Sequence, residues 1–169
     1  MPVSESFNWS VAIVTVSDRG ASGEREDLSG IALLEKLEQD GYHVAERIVV
    51  PDERPEIEKA LMRYSDKTGV ALIVTTGGTG VAPRDVTPDA TLAVVDRQVP
   101  GMAEAMRAGS LAKTPHAMIS RAVVGIRGKT LIVNLPGSPK GAVENLEFIL
   151  PALKHALKKI QGDPTDCAS

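Results

Sequence analysis

Four apolar runs in this chain stop abruptly and give way to polar or glycine-rich residues, and the elements can be read from those breaks. Val11 to Val16, Val44 to Val50, Ala71 to Val74 and Leu131 to Val133 are short and rich in β-branched residues, as suits strands buried on both faces. Between them the apolar spacing becomes helical. Ile31, Leu34 and Leu37 share a face of a helix expected from Leu28 to Asp40, capped by Asp27 or Ser29 and stopped by Gly41. Pro55 opens a second helix in which Ile57, Ala60, Leu61 and Tyr64 lie together. Strand, helix, strand, helix, strand up to Thr76 implies βαβ units with right-handed crossovers, hence a mainly parallel sheet covered by helices.

The second half is less regular. Thr87-Pro88-Asp89 reads as a helix start with Thr87 as N-cap and Pro88 at N1, leading a helix to Asp96. Another helix fits Met102 to Leu111, after Val99-Pro100-Gly101. Ala117 to Val133 holds two apolar runs either side of Gly125-Ile126-Arg127-Gly128, an antiparallel or mixed extension of the sheet. The last helix, from about Lys140 to Ile160, carries its apolar stripe on Val143, Leu146, Leu150, Leu153, Leu157 and Ile160. Acids lie early in it and Lys158 and Lys159 late, matching the helix dipole.

Polar clusters follow the predicted strands at Ser17-Asp18, at Asp52, at Gly77 to Asp85 and at Asn134 to Pro139. A parallel sheet carries such clusters to one edge, where ligands of open α/β folds bind. Gly77-Gly78-Thr79-Gly80 follows its strand closely and lets backbone N–H groups approach an anion, with Arg84 and Asp85 just beyond. It is not a P-loop, because the GxxxxGK[ST] spacing is absent and no lysine lies between Lys67 and Lys113; nor is it GxGxxG, since Pro83 stands where the last glycine would be. Composition alone reads equally as an ordinary strand-to-helix turn, with Asp52 a turn residue and Asp85 an ion-pair partner of Arg84.

Length adds that the 169 residues suit one domain, expected over residues 11–162 between a loose N-terminus (1–10) and a polar tail (163–169). The 19 basic and 22 acidic residues give a net charge of -3, which argues against a broad nucleic-acid or acidic-membrane surface. No signal-like start and no run of ~20 apolar residues is present, so the expectation is a cytoplasmic protein. Cys167 is the only cysteine, which sets aside a disulfide framework and a zinc cluster.

Six ordered stretches carry a resemblance: VSDR at Val16 to Arg19, PDE at Pro51 to Glu53, TTGGTG at Thr75 to Gly80, RDVTPDAT at Arg84 to Thr91, SRAVVGIRG at Ser120 to Gly128 and LPGSP at Leu135 to Pro139. Together they resemble the molybdopterin adenylyltransferases of the MogA/MoaB type. The resemblance implies a single-domain three-layer αβα sandwich with a mainly parallel sheet, usually trimeric. It implies AMP transfer from Mg²⁺-ATP to the terminal phosphate of molybdopterin, releasing pyrophosphate, with handover of the product to a molybdenum insertase. By position, the essential acids and Mg²⁺ ligands correspond to Asp52 and Asp85. The substrate-binding residues correspond to Ser17, Asp18, Gly77, Gly78, Thr79, Gly80, Ser110, Ser120, Arg121, Pro136, Gly137 and Ser138. The alternative is a molybdopterin-binding scaffold or a MoaB-type paralogue with little transferase activity.

Overall fold

The computed structural model of the chain describes residues 9–165. Ten elements are long enough to set its layers: β1 (Ser10–Val16), α2 (Leu28–Gln39), β2 (His43–Val50), α3 (Arg54–Met62), β3 (Leu72–Thr76), α4 (Thr87–Val94), α5 (Pro100–Leu111), β5 (Val124–Arg127), β6 (Thr130–Leu135) and α6 (Pro139–Ile160). Two shorter pieces, α1 (Asp18–Ala21) and β4 (Arg97–Gln98), escape the sequence pattern, as do a π-helical turn at Arg63–Thr68 and a 3₁₀ turn at Pro115–Ile119. Elements of one or two turns bury too few side chains to leave a periodic trace. Strand β1 starts at Ser10 and Trp9 is buried, so the ordered fold begins before the expected boundary at Val11. Cys167 lies outside the described residues.

The six-stranded sheet has the order β2-β1-β3-β6-β5-β4. Its first four strands are parallel and the last two antiparallel, the mixed extension expected of the second half. Alternate residues of the central strands serve two separate cores. Val11, Ile13, Leu72, Val74, Leu131 and Val133 pack under α2, α5 and α6. Ala12, Val14, Ile73 and Ile132 pack under α3 and α4. Burial on both faces explains why these strands read as unbroken apolar runs. Each fully buried Leu, Ile or Val contributes about 1.5–3 kcal/mol, so the sandwich closes without cross-links.

Four helix expectations change in detail. In α6 the buried face is Ala142, Asn145, Leu146, Ile149, Leu153 and Leu157, while Val143, Leu150 and Ile160 are only partly buried. In α2 the buried residues are Ser29, Gly30, Leu33 and Leu37, while Ile31 and Leu34 are only half-buried. Helix α4 has Val86 as N-cap and Thr87 as its first residue, because the Thr87 hydroxyl is drawn to the glycine loop. It ends at Val94, two residues before Asp96, where the Asp96 N–H donates to Ile126 O at 2.7 Å and starts the edge pairing. Helix α5 starts at Pro100, ahead of the expected Met102.

Register places the site. Val16 is level with Val50, Thr15 with Thr76, and Thr76 with Leu135. Ser17, Asp52, Gly77 and Pro136 therefore leave the sheet along one edge.

Candidate active site

The glycine loop is wedged between its neighbours. Gly77 has φ +100°, and a Cβ on it would stand 2.4 Å from Val16 O, so the loop lies directly on the end of β1. Its N–H donates to Leu135 O at 3.1 Å, and a Cβ on Gly137 would come within 3.3 Å of Gly77 Cα. The two strand-end loops are thus in backbone contact. Gly78 has φ +66°, and a Cβ there would sit 2.4 Å from Thr87 Oγ1 and 3.4 Å from Asp52 Oδ1. A Cβ on Gly80 would lie 2.9 Å from Asp85 Oδ2. The two acids therefore flank the same short loop.

Asp18 and Asp52 clasp each other through their backbones. The Asp18 N–H donates to Asp52 Oδ2 at 2.8 Å, and the Asp52 N–H donates to Asp18 Oδ1 at 3.0 Å. Arg84 then grips Asp18 with two nitrogens, Nε to Oδ2 at 2.7 Å and Nη2 to Oδ1 at 3.0 Å, and reaches Glu53 Oε1 at 2.8 Å. Arg84 is thus the partner of Asp18 and Glu53 and not of adjacent Asp85, whose Oδ2 accepts the Ala82 N–H at 3.0 Å. Charges respond accordingly. The Arg84 hydrogen bonds hold the Asp18 carboxyl below its usual range. Burial, reinforced by the charges of Asp18 and Asp85, pushes Asp52 up against the lowering pull of the Asp18 N–H and Arg84. An acid held up in this way gains from a nearby cation.

Two cavities meet at the loops. One of about 420 Å³ is lined in part by Ser17, Asp52, Gly77, Gly78, Gly137 and Ser138. The other, about 310 Å³, is lined in part by Thr79, Gly80, Ser110, Ser120, Pro136 and Ser138. Ser138 lies on both. Ser17 and Ser138 also cap helices, their Oγ atoms accepting from Gly20 N at 3.0 Å and Gly141 N at 3.1 Å. Accepting leaves each hydroxyl proton free to be turned toward an anion.

Arg121 braces the loop from behind. Its guanidinium donates to Gly80 O at 2.9 Å, Asp85 O at 2.6 Å and Asp89 Oδ2 at 2.9 Å, and its N–H donates to Thr79 O at 2.8 Å. Of the expected substrate-binding residues, Asp18 and Arg121 have their side chains held in ion pairs, with Arg84 and Asp89.

A family model described as a probable molybdopterin binding domain matches residues 12–155. The chain belongs to this family. It is 50% identical over 143 residues to a molybdopterin adenylyltransferase of Haemophilus influenzae, covering 82% of this chain and 72% of that one. It is 44% identical over 155 residues to a molybdopterin adenylyltransferase of Helicobacter pylori, covering 90% and 88%. Among solved structures, the molybdopterin biosynthesis enzyme MoaB of Thermus thermophilus superposes with a TM-score of 0.87 at 53% identity, over 94% of this chain and 99% of that one.

In this molybdopterin-binding-domain fold the smaller cavity takes in further polar side chains. Arg107, Lys113 and Asn145 also line the smaller cavity. Asn145 is buried, accepting from the Ser110 hydroxyl at 3.1 Å and donating to Gly141 O at 2.8 Å. The spacing gives no sign of it, because the apolar stripe read for α6 runs through Val143 and Leu146 and leaves position 145 outside. Ser29, which donates to Gly137 O at 3.0 Å, gave none beyond its capping role.

Proposed function

We propose that the chain transfers AMP from Mg²⁺-ATP to the terminal phosphate of molybdopterin, giving adenylyl-molybdopterin and pyrophosphate. The observation that carries this is the pair of cavities divided by two glycine-bearing loops, with Asp52 and Asp85 flanking one of them. Two substrates that must meet at one phosphorus need such a seam. An oxygen of the molybdopterin phosphate forms the new bond to the α-phosphorus while the bond to the β-phosphate oxygen breaks. The nucleophile is a phosphate monoester with a second pKa near ~6, so it is already largely anionic and needs no catalytic histidine.

The donor set fits Mg²⁺. Among the described residues no three acids, histidines or cysteines cluster as a closed metal cage, and Mg²⁺ bound with a nucleotide commonly takes one or two carboxylates plus phosphates and waters. Asp52 and Asp85 would hold it. When bound, the ion neutralises the triphosphate and the leaving pyrophosphate. The protein's own share is to orient. Gly77 to Gly80 presents backbone to the phosphates, the Ser17 and Ser138 hydroxyls donate from the cavity walls, and Arg121 keeps the far end of the loop in place.

Incubating the protein with molybdopterin and Mg²⁺-ATP should release pyrophosphate in step with adenylyl-molybdopterin. Molybdopterin binding without AMP transfer would favour a scaffold or a low-activity MoaB-type paralogue, a reading supported by the high identity to a MoaB protein. A homotrimer fits the family resemblance, and the exposed Leu111, Met118 and Ile119 beside the smaller cavity suit a covered surface. Light scattering would test it. Handover to a molybdenum insertase and a cytoplasmic location complete the proposal. No helix among the described residues is long and apolar enough to cross a membrane.

A further inference from the structure

Beneath the glycine loop runs a chain of fully buried polar groups that takes no part in either cavity. The Thr87 hydroxyl donates to Gly77 O at 2.9 Å, and the Thr87 N–H donates to Gly78 O at 3.1 Å. Behind it, Thr91 Oγ1 donates to Thr87 O at 2.8 Å and accepts from Asn134 Nδ2 at 2.9 Å. Asn134 also donates to Thr75 Oγ1 at 3.1 Å and accepts the Val123 N–H at 3.1 Å. Thr75, Thr87, Thr91 and Asn134 are all 0% exposed. A buried polar chain is tolerated when every member is satisfied, and it then holds one geometry.

Trans peptides turn this chain into a device. In each planar peptide unit the C=O and the following N–H point in opposite directions. With the carbonyls of Gly77 and Gly78 both held on Thr87, the N–H groups of Gly78 and Thr79 must face the other way. Gly78 lines the larger cavity and Thr79 the smaller, whereas Thr87 is buried and lines neither. Two successive N–H groups aimed out of a positive-φ turn form an anion-binding concavity.

We propose that Thr87, backed by Thr91 and Asn134, is a positioning residue that fixes the Gly78 and Thr79 N–H groups toward phosphate. The proposal deepens the adenylyl-transfer reading, which it needs only for the identity of the phosphate ligand. Thr87→Val keeps the shape and the main-chain tie to Gly78 O but removes the hydroxyl, so the Gly77–Gly78 peptide can turn. Thr87→Ser keeps the hydroxyl.

The test is binding of inorganic pyrophosphate and of Mg²⁺-ATP, followed by ¹⁵N amide shifts of Gly78 and Thr79, alongside the kcat and KM of AMP transfer. In the wild type both amides should shift on adding pyrophosphate. Thr87→Val should weaken pyrophosphate binding about tenfold or more, the scale of one hydrogen bond to a charged group, and lose the Gly78 response. Thr87→Ser should restore most of both. Thr91→Val, one turn farther back, should shift binding the same way by less, and it carries the test if Thr87→Val does not fold. Unchanged pyrophosphate binding in a folded Thr87→Val protein, or equal losses in the Val and Ser variants, would overturn the proposal. A wild type that shows the amide response but transfers no AMP overturns the functional reading and supports this one.

Discussion

Gly78→Ala and Gly69→Ala place the same methyl group at nearly the same positive φ, +66° and +68°, in opposite surroundings. At Gly69 nothing lies within 4 Å of the new Cβ, so only the left-handed conformation is penalised, by about 1–2 kcal/mol. At Gly78 the Cβ would stand 2.4 Å from Thr87 Oγ1, and the hydroxyl must leave Gly77 O. That strands a buried carbonyl at a cost of about 1–3 kcal/mol, giving a total of about 2–5 kcal/mol. The reduced freedom of the unfolded chain helps both variants equally and cancels in the comparison. Urea denaturation of the two proteins reads the difference, expected at about 1–3 kcal/mol. AMP transfer should survive Gly69→Ala and collapse in Gly78→Ala. Equal destabilisation of the two, within about 0.5 kcal/mol, would show that Thr87 does not hold the loop.

Asp52→Asn and Asp85→Asn, assayed across a Mg²⁺ titration, should each lower turnover by about two orders of magnitude, roughly 3 kcal/mol of transition-state stabilisation; full activity at limiting metal would remove them from the mechanism. The Asp52 carboxyl is raised above its ordinary 3.8, so the folded state retains a proton that the unfolded chain has released. Its contribution therefore favours folding below that value and fades as pH rises through the raised pKa. Stability against pH for Asp52→Asn should lack that fall, and an identical curve would contradict the assignment. Arg84→Met should let the Asp18 carboxyl rise toward 3.8, as read by ¹³C titration. Because the Arg84 ion pairs are exposed, that substitution should cost less than about 1 kcal/mol of stability.

The unbroken β-branched runs were legible as strands because these segments are buried on both faces, and the glycine and serine clusters after them were legible as sharing one edge of the sheet because parallel strands end together. The layers and the shared edge were therefore readable from residue order alone. It could not assign partners. Arg84 beside Asp85 looks like a local pair, yet its guanidinium spans 66 residues to Asp18, and the Asp18–Asp52 clasp spans 34. Thr87 carried every mark of an N-cap and instead became the first, buried residue of α4, because Gly77 O lay within reach of its hydroxyl. Periodicity records which face of an element is buried, whereas a hydrogen-bond partner is fixed by where register brings two distant strand ends. That is why the acid pair's geometry, the brace of Arg121 and the polar chain under the loop were decided only by the tertiary structure.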